Sequence, residues 1–137
     1  MREGRDAVPM TGMKSSIGGG RNQPRPHEQL DAWKVSVDLV VLVYEATRAF
    51  PREEIFGITS QMRRAAVSIP ANIAEGSARR SASERKQFYY ISRGSVSELE
   101  THITIATRLG YLQRNDSVVL YEHCQRIAAM LNGMIQR

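Results

Sequence analysis

The chain has 137 residues, a formal net charge of +5 and a pI of about 9.8. With 42% hydrophobic and 24% charged residues it lies far from the polar, highly charged compositions that stay unfolded, and its length suits a single core. No apolar run approaches the roughly 20 residues of a bilayer span, and a lone cysteine, Cys124, excludes an internal disulfide, a CxxC redox pair and a thiolate zinc site.

Residues 1–29 hold Gly18, Gly19 and Gly20, three of the five prolines and no hydrophobic periodicity, which predicts a disordered tail. They also lack the continuous apolar stretch of a secretory signal, and with the single cysteine this points to the cytoplasm. The glycine run is not followed by the Lys-Ser or Lys-Thr of a phosphate loop, so nucleotide binding finds no support there.

A folded domain is expected over residues 30–137. Asp31 is placed to cap a first helix with an inner stripe of Trp33, Val37, Val40, Tyr44 and Thr47, ending near Phe50 and Pro51. Val41, Leu42 and Val43 lie off that stripe, so the helix is apolar around more of its circumference than one core requires. The surplus calls for a partner. A second helix starts near Thr59 and turns Met62, Ala65, Ala66, Ile69, Ile73 and Ala74 inward, with Gly76 near its end. Pro70 falls inside it and frees the carbonyl of Ala66, so a kink is expected with Ser68 and Asn72 as polar neighbours.

Ser81 and Glu84 have the spacing of a capping box opening the longest helix, with Phe88, Ile91, Ser95, Leu99, Ile103, Ala106 and Leu109 inward and Gly110 as the stop. Gly94, Ser95 and Ser97 offer a place for another helix to approach closely. Asn115 or Asp116 caps the last helix, whose inner stripe is Leu120, Cys124, Ile127, Leu131 and Met134 or Ile135. The predicted class is all-α: an antiparallel up-down-up-down four-helix bundle with a disordered N-terminal tail.

Three stretches resemble a known family: Phe50-Pro51-Arg52-Glu53-Glu54, the run from Phe56 to Gly76 that contains Gln61-Met62-Arg63-Arg64 and Ile69-Pro70-Ala71-Asn72, and Arg93-Gly94-Ser95. With Glu98-Leu99-Glu100-Thr101 and Leu109-Gly110-Tyr111-Leu112 they resemble, in unbroken order over residues 30–137, the bacterial four-helix-bundle family first noted as reading frames inside intervening sequences of 23S ribosomal RNA genes. That family is similar in turn to the accessory variability proteins of diversity-generating retroelements, barrel-shaped pentamers of four-helix bundles that bind reverse transcriptase and nucleic acid. The resemblance implies a homopentamer.

Between Gly76 and Arg93 lie five basic residues, Arg79, Arg80, Arg85, Lys86 and Arg93, against one acid, Glu84. Joined by Arg63 and Arg64, they are candidates for a phosphate-contacting surface, with Tyr89 and Tyr90 placed to stack on bases. The plain reading is a solvated corner with ordinary ion pairs, in which the arginines serve subunit or protein contacts. Pro70, Asn72, Glu75 and Gly76 form the structural part of the motif. Glu75 suits an i,i+4 pair with Arg79, or, if buried, an arginine partner such as Arg64 or Arg93. Trp33, Tyr44, Phe50 and Phe56 are assigned to packing. No HExxH, GxSxG or paired Glu-x-x-His is present, and Glu98 with His102 reads as an intrahelical hydrogen bond, so no catalytic residue, metal or cofactor is expected.

Overall fold

The computed structural model describes residues 26–137, and the expectation of a disordered tail lies outside them as far as residue 25. Four helices follow in order: α1 (Pro26–Thr47), α2 (Ile58–Ser77), α3 (Ala82–Arg108) and α4 (Arg114–Gln136), with a short 3-10 turn at Arg52–Glu54 between α1 and α2. No strand occurs among the described residues. Each helix packs on its chain neighbours and α4 also packs on α1, while the backbones of the diagonal pairs stay apart.

Contacts at the two ends give the directions. At one end the start of α1, the end of α2 and the first turns of α3 meet where Gln29 Nε2 donates to Tyr89 Oη at 2.6 Å and Ser77 Oγ lies 3.3 Å from the same oxygen. Arg137, at the end of α4, pairs with Glu28 there. At the other end Arg63 Nε donates to Thr47 Oγ1 at 2.9 Å, and Tyr111 Oη donates to Glu54 Oε2 at 3.0 Å. The helices alternate in direction, as expected.

The first helix differs from its expected form in two ways. It begins at Pro26 rather than after a cap at Asp31, because proline suits a first helical turn and Gln29 is fully buried beneath Tyr89. Its inner stripe is Ala32, Val35, Ser36, Leu39, Val43 and Thr47, so of the expected stripe only Thr47 is buried. One residue of offset turns a helix face by about 100°. Small and hydroxyl side chains sit on the true core face because their polar atoms are satisfied within the helix: Ser36 Oγ donates to the Ala32 carbonyl and Thr47 Oγ1 to that of Val43, both at 2.8 Å.

In α2 the expected core residues are buried, Ala74 in part, and Pro70 joins them inside a continuous helix. Ser68 and Asn72, the expected partners of the freed Ala66 carbonyl, bond elsewhere: Asn72 Nδ2 donates to the Ser68 carbonyl at 2.8 Å and the Ser68 and Ser95 hydroxyls pair at 2.8 Å, while Ser92 Oγ donates to the Ile69 carbonyl at 3.0 Å. The last two bonds link α2 to α3. The close approach occurs at Gly76, where an added Cβ would lie 2.8 Å from Tyr89 Cε1 and 3.0 Å from Phe88 Cβ. Gly94, the expected site of such contact, faces open space and Ser97 is exposed, so of that trio only Ser95 serves the α2 contact.

Ser81 caps α3 by accepting from Glu84 N at 3.1 Å. Gly110, at φ +80°, ends it, with Gly110 N donating to the Thr107 carbonyl and Tyr111 N to that of Ala106. This is the double bond pattern of a left-handed helix stop, available to glycine without a Cβ penalty. Within α3, Ser95, Leu99, Ile103 and Ala106 are buried as expected, but Ile91 and Leu109 are half exposed and Phe88 only partly covered. Tyr89 and Ser92, one residue beyond Phe88 and Ile91, take their place, and Arg85 and Val96 are buried as well. The α4 stripe of Leu120, Cys124, Ile127, Leu131, Met134 and Ile135 is buried as read, although α4 starts at Arg114 after Gln113, ahead of Asn115 and Asp116, without a side-chain cap.

Candidate functional site

The seven basic residues singled out in the sequence do not converge. Arg63 lies in the second turn of α2 and Arg79 two residues beyond its last residue, Ser77; the helix from Arg63 to Ser77 alone spans roughly 21 Å at 1.5 Å per residue, so Arg63 and Arg64 lie at the opposite end of the bundle from the Arg79–Arg80 corner. Arg85 is withdrawn altogether: only 2% exposed, it sends Nη1 to the carbonyls of Arg80 at 2.7 Å and Arg79 at 3.3 Å. It ties down the α2–α3 turn and offers nothing to a phosphate.

Half of the others have partners. Arg79 pairs with Glu75 at 3.0 Å and lies over the Phe88 ring. Glu75 is therefore an exposed i,i+4 partner, and the alternative of a buried carboxylate held by Arg64 or Arg93 does not occur. Arg63 lies over the Tyr44 ring while bonding Thr47. Arg93 stacks on Tyr90, with its guanidinium carbon 5.0 Å from the ring centroid, and donates to Asn132 Oδ1 at 2.8 Å. Tyr89, one of the two expected base-stacking rings, is fully buried. Burial pushes its phenol above the ordinary range, an effect only partly offset by hydrogen bonds from Ser77 and Gln29 and by the charge of Arg85.

What remains outward is a narrower basic feature. Lys86, Tyr90 and Arg93 fall at i, i+4 and i+7 on α3 and so share one face. Arg80 is exposed at the turn that leads into that helix.

Apolar surface is more prominent than charge. On α1 all but Thr47 of the residues expected to face inward form an outer stripe instead, joined by Val41: Trp33, Val37 and Val40 are partly covered, and Val41 and Tyr44 are 43% and 41% exposed. Phe50 is buried and tilted against Tyr111, as assigned, but Phe56 is 92% exposed, against its assignment to packing. Beside it Ile55 is also outward. A groove of about 540 Å³ opens between the end of α3 and the start of α4, where Ile103, Val118 and Tyr121 meet Arg108, Arg114 and Glu122. Neither Phe56 nor this groove carries a sequence signal, since the exposure of one aromatic depends on which way the connection over residues 48–57 turns.

Catalytic or metal chemistry has little to build on. Glu98 and His102 make the 3.3 Å intrahelical contact that their spacing predicts. Cys124 is buried, and burial pushes its thiol up to about 12, far from a reactive thiolate. Among the described residues no three His, Cys, Asp or Glu side chains are grouped to hold a metal ion, and no helix is long and apolar enough to cross a membrane.

A solved structure described as a protein of unknown function from the S23 ribosomal protein family of Bacteroides thetaiotaomicron is similar in fold, with a TM-score of 0.73 and 20% identity over 80% of this chain and 99% of that one. No curated protein matches the chain. The sequence pattern of one family matches residues 28–133, most of the described helices, and on that match the chain belongs to the 23S rRNA-intervening sequence protein family.

Proposed function

We propose that this chain is a non-catalytic, cytoplasmic helical scaffold that works as a homo-oligomer. The observation that carries this reading is the outer stripe of α1, where Trp33, Val37, Val40, Val41 and Tyr44 line a face the chain's own core leaves partly uncovered. Contiguous apolar surface of this kind marks protein contacts, whereas scattered exposed residues do not. A subunit number of five follows from the resemblance to pentameric accessory proteins. Sedimentation equilibrium tests the reading: the wild type runs as a multiple of the chain mass, and Val41→Glu with Tyr44→Glu shifts it towards the monomer. A wild-type monomer at tens of micromolar overturns it.

A second reading, contact with RNA or another nucleic acid, draws on the Lys86–Tyr90–Arg93 face with Arg80 nearby. Cations supply sequence-independent phosphate contact and an outward ring supplies stacking. Here Lys86→Ala with Arg93→Ala weakens RNA retention and flattens its salt dependence while oligomer size holds, and Arg79→Ala with Arg80→Ala acts in the same direction. Wild-type protein that retains no RNA at low salt removes this reading and leaves the scaffold.

A further inference from the structure

We infer that Phe56 is a knob that seats in the α3–α4 groove of a second copy of the chain. The inference rests on the self-association proposed above and names a contact for it in addition to the α1 stripe.

The loop that carries Phe56 is built to hold it out. Both carboxylate oxygens of Glu54 are used: Oε1 accepts from Ile58 N at 3.3 Å, covering the start of α2, and Oε2 accepts from Tyr111 Oη at 3.0 Å. Backbone bonds from Glu54 N to Pro51 O and from Gly57 N to Glu54 O close the turn on either side. A phenyl ring 92% exposed on a loop anchored at both ends is presented to something outside the chain.

The groove suits that ring. An apolar cavity of about 150 Å³ holds a benzene, so 540 Å³ over Ile103, Val118 and Tyr121 accepts Phe56 together with Ile55. Charges match in both senses. Arg52 and Glu53, both exposed beside the knob, face a rim that offers Glu122 to the one and Arg108 and Arg114 to the other. Val119, Ile105 and Leu109, next in sequence to residues that line the groove, are each more than 40% exposed.

Position favours a second copy as the occupant. Knob and groove lie at the same end of the bundle, one on the α1–α2 turn and the other on the α3–α4 pair. The exposure of Phe56 shows that it does not fill its own chain's groove. Two different surfaces meeting in this way make a heterologous contact, which closes into a ring when the rotation between neighbours permits.

Two variants test it. Phe56→Glu, with its helical circular dichroism unchanged, shifts the assembly to monomer mass. A Phe56→Cys, Val118→Cys double variant gives a ladder of disulfide-linked multimers on oxidation, while either single substitution gives none. Wild-type protein that assembles, alongside a Phe56→Glu chain of the same mass and an unlinked double variant, overturns the contact and leaves self-association standing. Wild-type protein that is monomeric overturns both. A Val118→Cys thiol still shielded from maleimide in the Phe56→Glu background means that the groove holds another occupant, and this also overturns the inference.

Discussion

One phenol oxygen, that of Tyr89, joins three helices: it accepts from Gln29 on α1, lies beside Ser77 on α2 and belongs to α3. Removing it leaves the Gln29 amide and the Ser77 hydroxyl buried with fewer partners, a loss that costs about 1–3 kcal/mol for an unsatisfied buried group. Tyr89→Phe is therefore expected to lower stability by about that amount in denaturant titration without altering the fold. Buried acidic groups also set the alkaline limit. Cys124 has its folded value raised from 9.0 to about 12 by burial, and Tyr89 is raised above 10.0 for the same first cause. Groups raised on folding contribute stability that is complete below their unfolded values and is lost as pH climbs through the folded ones. The denaturation midpoint should accordingly fall from about pH 9 upward, and Cys124→Ala should soften the first part of that fall. A midpoint that stays flat through this window contradicts the burial of both groups.

Among the elements, two glycines in helical positions separate packing from propensity. At Gly76 a Cβ would press on Tyr89, Phe88 and the Arg85 carbonyl, while at Gly94 it would meet nothing within 4 Å. Overpacking costs about 1–3 kcal/mol and outweighs the roughly 1 kcal/mol that alanine gains in a helix interior. Gly76→Ala is thus expected to destabilise, and Gly94→Ala to stabilise by somewhat under about 1 kcal/mol, both read from thermal melts. The number and order of helices were legible from periodicity and from the Ser81 and Gly110 signals, because those devices act locally. The α4 stripe was legible too, being strongly apolar on one face only. On α1 the same method chose the wrong face, since valines encircle the helix and the core side is partly Ala32 and Ser36. Apolar character could not tell a face buried within the chain from one left outside it.

For the whole molecule, charge was a poorer guide than exposed apolar surface. Five basic residues in one stretch of sequence read as a single patch, yet one is buried, two stack on neighbouring rings, and Arg63 and Arg64 lie at the far end of the bundle. That dispersal depends on where α2 ends and on the turn that Arg85 clamps, and neither is encoded in residue spacing. What stays outward is the α1 stripe, the Phe56 knob and the α3–α4 groove, three surfaces on one chain that make sense together in an assembly of identical subunits. Native mass spectrometry of the full chain, purified without nuclease, tests that claim most directly. The account predicts a single closed species at an integral multiple of the chain mass, five subunits being the expected number, and a chain that appears only at 15.4 kDa contradicts it.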